Sequence, residues 1–198
     1  MKLKILSINI RGLNTNIKRV KCLELLHRSQ TDIALIQESH LTNDNISKIQ
    51  NRNYRVVASS EGESVSRGVI VLFRRSLNIK IDKVGNDNKG RMAYVCTTIE
   101  GLKIAFISIY GPNVFDKIFY PRLTEEILSL ENYELIMGGD MNAVCDLELD
   151  RSTSTFTYGQ QNSSMALNTM ICDLNVVDIW RLQNPFTKDY NCFSPCHK

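Results

Sequence analysis

Short apolar runs and amphipathic stretches alternate along the chain, and this alternation predicts strands and helices that follow one another. Apolar runs that are too short for a helix and are closed by polar residues predict strands at 2–10, 32–37, 68–73 and 134–137. Hydrophobic residues recur at helical spacing over 17–29, 117–131 and 167–174, which predicts amphipathic helices. The runs 93–99 and 103–110 flank a Glu-Gly turn and predict a β-hairpin. This order favours an α/β protein with one mixed sheet, or two sheets, and helices outside.

The composition is that of an ordinary globular protein. The chain has 198 residues, of which 43% are hydrophobic and 23% charged, and these values exclude a disordered or low-complexity chain. Neither a linker nor an internal repeat divides the sequence, so we expect a single domain over 1–198. No apolar run approaches the ~20 residues of a membrane span, and Ser7, Asn9 and Arg11 interrupt the N-terminal run before a signal peptide could form. We therefore expect a protein that is neither secreted nor membrane-bound.

Cysteine usage and charge add two expectations. The six cysteines, at 22, 96, 145, 172, 192 and 196, form no CxxC pair, and the three histidines complete no zinc-binding spacing. We expect mainly buried free thiols in a reducing intracellular compartment rather than a set of disulfides.

The formal net charge is +3, but residues 1–30 carry a net +6. This basic block is either a solvated helix face or a surface that attracts a polyanion.

Oxygen-bearing side chains follow three of the predicted strands. Asn9 ends the first, Glu38 follows the second, and Asp140 follows the strand at 134–137, with Asn142 two residues later. Ligand sites of α/β folds gather at the carboxyl ends of strands, and hard oxygen donors suit Mg²⁺. The two glycines before Asp140 would let the backbone bend and approach a ligand closely. Taken alone, an Asp after two glycines is more often a turn residue than a catalytic one, and an Asn here could be a helix cap, so only the joint order of these residues favours a metal site.

Four ordered motifs extend this pattern: Ser-Ile-Asn-Ile-Arg-Gly-Leu at 7–13, Ile-Gln-Glu-Ser-His at 36–40, Ile-Tyr-Gly-Pro-Asn at 109–113 and Gly-Gly-Asp-Met-Asn at 138–142. Together they resemble the endonuclease/exonuclease/phosphatase superfamily. Within it, the chain is similar to the apurinic-type endonuclease domain of LINE-type retrotransposons. Later stretches continue the resemblance, at 150–152, 177–181, 184–185 and 190–194. The resemblance implies a four-layered α/β sandwich, with two mixed, mostly antiparallel sheets flanked by helices.

The resemblance also implies a role for each matching residue. Glu38 resembles the metal-binding glutamate, and Asn9 resembles the neighbouring asparagine that helps to hold metal and phosphate. Asp140 resembles the aspartate that orients or deprotonates the attacking water. Tyr110 resembles the active-site tyrosine near the scissile phosphate, and Asn142 resembles the asparagine that hydrogen-bonds that phosphate.

Two further residues, Asn113 and Arg151, match positions at which family members contact DNA. The implied activity is hydrolysis of DNA phosphodiesters with Mg²⁺, for which Mn²⁺ can substitute. DNA is the implied substrate and partner, and a reverse transcriptase domain is expected downstream in a full-length element. The implied location is nuclear or cytoplasmic.

Two motifs that family members carry near the C-terminus do not occur in this sequence: Ser-Arg-Ile-Asp, and a Ser-Asp-His whose histidine supports the reaction. His197 stands before the place of both and does not match that histidine. The chain therefore resembles a C-terminally truncated domain without its last strands, and we expect little or no nuclease activity from it. Two alternatives stay open: a different phosphatase or an abasic-site enzyme of the same superfamily, and a non-catalytic remnant that binds nucleic acid.

Overall fold

A computed structural model describes residues 1–62, 67–151 and 155–188 of the chain. Contacts among the residues divide the chain into two compact units. The first unit comprises Met1–Gly111 and Glu131–Asp140, and the second comprises Pro112–Leu130 and Met141–Lys198. The single domain predicted over 1–198 stays a prediction.

The first unit contains two β-sheets and the second is helical in its described part. The strands of the first unit are β1 (Ile5–Asn9), β2 (Ile33–Gln37), β3 (Tyr54–Ser60), β4 (Val69–Arg74), β5 (Lys80–Asn86), β6 (Met92–Ile99), β7 (Leu102–Tyr110) and β8 (Glu134–Asp140). Helix α1 (Asn16–Arg28) follows β1, and a 3₁₀ helix (Asn43–Ile49) follows β2. The helices of the second unit are α2 (Phe119–Leu128), α3 (Tyr158–Asp173) and α4 (Ile179–Gln183).

Each sheet has four strands and combines one parallel pair with antiparallel neighbours. The first sheet has the order β1-β2-β4-β3, with β1 and β2 parallel. The second has the order β5-β6-β7-β8, with β7 and β8 parallel. The expected architecture of two mixed, mostly antiparallel sheets with helices is therefore confirmed. The four-layered arrangement and the loss of the last strands stay predictions.

Apolar side chains fill the layer between the two sheets, because alternate residues of each strand face the same way. Phe73 on β4 meets Phe106 on β7 edge-on, with ring centroids 6.0 Å apart. Both rings are fully buried, together with Leu35, Val71 and Val95. Burying one such side chain stabilises the fold by roughly 1.5–3 kcal/mol, so this layer is a main source of stability for the first unit.

A second apolar layer lies between α1 and the other face of the first sheet. Helix α1 begins after Thr15, whose side chain accepts a hydrogen bond from the backbone N–H of Lys18. Its buried residues Cys22, Leu23 and Leu26 belong to one cluster with apolar residues of β2 and β4. The helix thus covers the sheet with one face and turns its many cationic residues outward.

Four elements differ from the sequence-based expectation. Strand β5 was not expected, because Lys80–Asn86 is mostly polar and exposed. It lies at the edge of the second sheet, where charged side chains are common. The short 3₁₀ helix and α4 were also not expected, since neither offers enough residues for a periodic pattern. Helix α3 begins at Tyr158, well before the expected periodic stretch, because Thr157 and Gln160 form a reciprocal capping box.

The cysteines of the described part are free thiols of differing exposure. Cys22 and Cys96 are buried, Cys145 is half-buried and Cys172 is exposed. Burial raises the pKa of Cys22 to about 11. The expectation of mainly buried thiols therefore holds for two of these four, and residues 192 and 196 lie outside the described residues. Across the described ranges, every helix is too short or too polar to span a bilayer.

Candidate active site

Four strand ends meet at one edge of the first unit. In each sheet, one parallel pair brings two carboxyl ends side by side. These pairs face each other across the layer between the sheets, since β1 contacts β8 and β2 contacts β7. The polar residues that follow β1, β2, β7 and β8 therefore converge, as expected for ligand sites of open α/β sheets.

Asn9, Glu38 and Asp140 form the centre of this edge, which we call the carboxylate cluster. The Nδ2 atom of Asn9 donates a hydrogen bond of 2.8 Å to Oε1 of Glu38 and a second of 2.8 Å to Oδ2 of Asp140. The Oδ1 atom of Asn9 accepts from the backbone N–H of Arg11 at 3.1 Å, which orients the amide. Three residues that lie far apart in the sequence thus share one set of hydrogen bonds, and the predicted convergence is observed.

The loop that carries Glu38 has a strained backbone held by neighbouring loops. Glu38 and His40 have φ values of 51° and 56°, in the left-handed region that non-glycine residues rarely adopt. The backbone N–H of Gly12 donates to the carbonyl of Glu38 at 2.7 Å, and that of Ser39 donates to the carbonyl of Gly68 at 2.9 Å. These bonds fix the strained loop between the segments after β1 and before β4.

His40 lies beside the carboxylate cluster, and the structure leaves its ring little freedom. Its Nε2 atom is 3.8 Å from Oε2 of Glu38. That nitrogen is buried and has no hydrogen-bond partner among the described residues. On the other side of the ring, a Cβ on Gly12 would lie 2.7 Å from Nδ1 of His40. Only glycine at this position leaves room for the imidazole, and Gly12 also has a φ of +92°.

A buried polar network supports the cluster from inside the layer between the sheets. Nε2 of Gln37 donates to Oγ of Ser108 at 3.0 Å and to the carbonyl of Leu35 at 3.1 Å. Oγ of Ser108 donates in turn to the carbonyl of Ile36 at 3.1 Å, so the two sheets are hydrogen-bonded to each other here. Because Gln37 is 1% exposed and immediately precedes Glu38, this network holds the glutamate-bearing end of β2 in place.

The glycines before Asp140 serve packing within the sheets. They belong to β8, which continues through Asp140 instead of ending at residue 137. A Cβ on Gly138 would lie 2.9 Å from Cβ of Ser7, and one on Gly139 would lie 2.2 Å from the carbonyl oxygen of Ile109. The expected role of these glycines, a bend that lets the backbone approach a ligand, is therefore replaced by close approach of β8 to β1 and β7.

Tyr110 is the last residue of β7 and pairs in register with Asp140 on β8. Its side chain is buried, and the guanidinium of Arg91 lies 5.1 Å from the centroid of its ring. Nη1 of Arg91 also donates to the carbonyl oxygens of Tyr110, at 3.2 Å, and of Gly111, at 2.6 Å. The strand end that carries Tyr110 is therefore clamped by one arginine.

The remaining predicted site residues belong to the second unit. Nδ2 of Asn142 donates to Oδ1 of Asn113 at 2.9 Å, so the structure brings these two asparagines together. Arg151 is half-buried and follows Asp150, whose buried carboxylate pairs with Arg181. The structure thus shows the arginine at 181, rather than the one at 151, bound to the acidic side chain of this motif.

Two site-adjacent residues were missed from the sequence, Arg91 and Ser108. Arg91 follows Gly90, and the pair reads as an ordinary turn before a strand. Ser108 is one hydroxyl inside an apolar strand, and nothing in the sequence shows which strand of the other sheet it faces. Only Gln37 carried a sequence signal, as an amide at the end of a fully apolar strand.

The chemistry of the carboxylate cluster fits a hard divalent cation. Glu38 and Asp140 offer carboxylate oxygens, which suit Mg²⁺ or Mn²⁺ better than softer metals, while Asn9 turns its amide nitrogen toward both of them. Two carboxylates that converge on one amide also repel each other, and a bound cation would offset that repulsion. Among the described residues, no group of three or more His, Cys, Asp or Glu side chains is arranged to hold a metal ion.

Two four-stranded mixed sheets with helices make up this mixed α/β fold, and the sequence identifies the family to which it belongs. The model of the Endonuclease/Exonuclease/phosphatase family matches residues 6–193. The chain therefore belongs to this family and is a hydrolase by family.

Among individual proteins, the chain is similar to the Transposon TX1 uncharacterized 149 kDa protein of Xenopus laevis. The two are 25% identical over 191 residues, which are 94% of this chain and 14% of that protein. The chain thus spans about one seventh of the length of this curated relative.

Two solved structures share the fold. The catalytic domain of Xenopus laevis APE2 matches with a TM-score of 0.71 and 22% identity, over 94% of this chain and 74% of that one. The endonuclease domain of TRAS1, a telomere-specific non-LTR retrotransposon, matches with a TM-score of 0.55 and 18% identity, over 85% of this chain and 71% of that one.

Proposed function

We propose that the chain is the endonuclease domain of a non-LTR retrotransposon and hydrolyses phosphodiester bonds of DNA with a divalent metal. The observation that carries the proposal is the carboxylate cluster, in which Asn9 joins Glu38 and Asp140 at the shared edge of the two sheets. Family membership supports hydrolysis of a phosphoester. Similarity to a transposon protein and to a retrotransposon endonuclease fold supports the genetic context.

Glu38 and Asn9 would hold the metal, with Mg²⁺ as the proposed ion and Mn²⁺ as its substitute. When bound, the ion supplies Lewis acidity toward a phosphate oxygen and neutralises charge that builds up in the transition state. The protein's own contribution is to present the ligand side chains in a fixed arrangement. Hydrogen bonds of the loop after β2 and the network of Gln37 serve that purpose.

Asp140 is the proposed general base. It takes a proton from the attacking water, whose oxygen forms a new bond to phosphorus while one ester P–O bond breaks. The leaving oxygen then takes a proton from solvent. Tyr110 and Asn142 are proposed to donate hydrogen bonds to phosphate oxygens, where charge develops. Asn113 and Arg151 are proposed to contact DNA outside the scissile group, and a downstream reverse transcriptase is the proposed neighbour in the longer protein.

Nicking of a supercoiled plasmid tests the proposal. We expect at most slow nicking, which requires Mg²⁺ and stops in EDTA. Asp140→Asn keeps the shape of the side chain and removes the base, so we expect the rate to fall by about 10²- to 10⁴-fold. Asp82→Asn is the matched control, because it makes the same chemical change at an exposed position of β5 and should leave nicking unchanged.

A binding measurement separates the metal site from the chemistry. A calorimetric titration with Mn²⁺ should show one binding site, and the affinity of that site for Mn²⁺ should fall in the variant Glu38→Gln. Faster release of phosphate from a soluble phosphomonoester than nicking of DNA would favour the phosphatase alternative. Binding of Mn²⁺ and DNA by a folded chain without any cleavage would favour the non-catalytic alternative.

A further inference from the structure

The first unit has a second concave surface, which we call the basic groove. It lies between the outward face of α1 and residues 48–53, and its volume is about 500 Å³. Residues 50–53 precede β3, whose first residue pairs with Arg74 at the end of β4, and β4 ends beside the beginning of β2. This part of the groove therefore lies near the amino end of β2, whereas the carboxylate cluster lies at the carboxyl end of that strand.

The charged side chains that line the groove are mostly cationic. Its cationic lining residues are Arg19, Arg28, Lys48 and Arg52, against one acidic residue, Glu24. In the described part of the chain, none of the four cations forms an ion pair with an acidic side chain. Three of them are exposed, so their charges are available to a ligand.

One wall of the groove is fixed in position. Nη1 of Arg19 donates to the backbone carbonyls of Leu13 and Asn14, at 2.9 Å each. These two hydrogen bonds hold the guanidinium of Arg19 in one position beside the helix. A fixed cation loses less side-chain entropy on binding than a free lysine does, and this favours recognition of an anion.

We propose that the basic groove binds the sugar-phosphate backbone of double-stranded DNA, away from the bond that is cut. Helix α1 has 13 residues and is ~20 Å long, which matches about six base pairs along one strand. The amides of Asn16 and Asn53 also line the groove and can donate to phosphate or sugar oxygens. Of the lining residues that the structure describes, His27 alone has an aromatic ring, and no Phe, Tyr or Trp is present to stack a run of unpaired bases, which favours duplex over single-stranded DNA.

The choice of DNA rests on the proposed function, whereas the attraction for a polyanion rests on the groove alone. Because the groove and the carboxylate cluster lie at opposite ends of the strands, the groove contributes to affinity for DNA and not to the chemical step. It would hold DNA that flanks the target, and its effect should weaken with salt, since bound cations displace counterions from the duplex.

Fluorescence anisotropy with a labelled 30-base-pair duplex in EDTA tests the proposal without cleavage. The test variant combines Arg28→Gln, Lys48→Gln and Arg52→Gln. We expect the slope of log affinity against log salt to decrease by about 2.7, since each phosphate contact contributes about 0.9. The corresponding loss of affinity is on the order of 10²-fold at 100 mM salt.

A matched control removes the same three charges from the second sheet. It combines Lys80→Gln, Lys83→Gln and Lys103→Gln, which are exposed positions of β5 and β7. Circular dichroism checks that both triple variants fold, and Arg52→Gln alone replaces the test variant if it does not. An equal loss in test and control, or no loss in the test variant, would overturn the proposal. Tighter binding of duplex RNA or single-stranded DNA than of duplex DNA would also overturn it.

The two proposals fail in different ways. If the groove variant binds DNA as well as the wild type while the wild type nicks plasmid, the groove is wrong and the nuclease proposal stands. If the wild type never nicks, but the groove variant loses salt-dependent binding, the nuclease proposal is wrong and the groove stands.

Discussion

At one end of the layer between the two sheets, Phe73 and Phe106 meet edge-on among aliphatic side chains. At the other end, Gln37 and Ser108 share hydrogen bonds beneath Glu38. The apolar end stabilises the unit without strict geometry, because burial of apolar area has no direction. The polar end has a strict geometry, because each buried polar group needs its partner. One layer thus provides stability at one end and a fixed position for the carboxylate cluster at the other.

The largest expected effect comes from breaking the apolar end. Phe106→Ala removes a fully buried ring and leaves a cavity, so we expect the free energy of unfolding to fall by about 3–5 kcal/mol. Urea unfolding followed by circular dichroism measures the change. Val84→Ala on β5 is the control, since Val84 is 50% exposed and its truncation should change the free energy by less than about 0.5 kcal/mol. Equal losses in both variants would contradict the assignment of the core.

Breaking the polar end should lower the free energy of unfolding by less than Phe106→Ala does, but it should also weaken the binding of metal. Gln37→Leu keeps the approximate volume but leaves the carbonyl of Leu35 and the hydroxyl of Ser108 without this donor. We expect a loss of about 1–3 kcal/mol in urea unfolding. We also expect weaker binding of Mn²⁺, because Gln37 holds the end of β2 that carries Glu38, the proposed metal ligand.

A second substitution checks whether the hydrogen bond itself matters. In the double variant Gln37→Leu with Ser108→Ala, both partners are apolar and part of the lost stability should return. Affinity for Mn²⁺ should stay low. Full recovery of metal affinity would show that the network does not position Glu38.

Gly138 lies where β8 packs closely against Ser7 and Leu35 of the first sheet. In Gly138→Ala the new methyl would lie 2.8 Å from Cδ1 of Leu35 and 2.9 Å from Cβ of Ser7. We expect a loss of about 1–2 kcal/mol from overpacking, measured by urea unfolding. Gly159→Ala in α3 is the control, because the nearest atom there is 3.7 Å from the new Cβ and alanine favours a helix. The control should be neutral or stabilising, and a greater loss there would contradict the packing.

The smallest expected effect is on the reactivity of Cys22, whose thiol lies in the apolar layer under α1. Burial raises the pKa of Cys22 from its ordinary value of 9.0 to about 11, so its thiol stays protonated at neutral pH. Cys172 is exposed. At pH 8 we expect iodoacetamide to modify Cys172 well before Cys22, as followed by peptide mass spectrometry. The raised pKa also contributes stability that is present below pH 9 and is lost as pH rises through about 11. Modification of Cys22 first would contradict the burial of α1.

Much of the candidate site could be expected from local sequence. Asn9, Glu38 and Asp140 each end or follow an apolar strand, and the carboxyl ends of such strands gather at one edge of a sheet. Their hydrogen bonds agree with that expectation. The proposed roles of Tyr110, Asn142, Asn113 and Arg151 rest on the resemblance and stay predictions.

Other features could not be expected because they depend on which residues meet across the fold. Strand β5 is mostly polar and exists because β6 offers it a partner at the sheet edge. Arg91 reaches the end of β7 only because the antiparallel register places them together. The glycines at 138 and 139 suggested a turn, whereas the neighbouring strands make them necessary for packing.

The sequence by itself determined the strands and helices with strong periodicity, the motifs of the family and the oxygen-bearing side chains that end or follow its strands. It could do so because periodicity, turn chemistry and motif order are properties of neighbouring residues. The tertiary structure decided which strand ends face each other, how Gln37 and Ser108 join the sheets, and where the cations of α1 meet those of residues 48–53. These depend on packing between residues that lie tens of positions apart, because burial and hydrogen-bond geometry act only once the chain has folded.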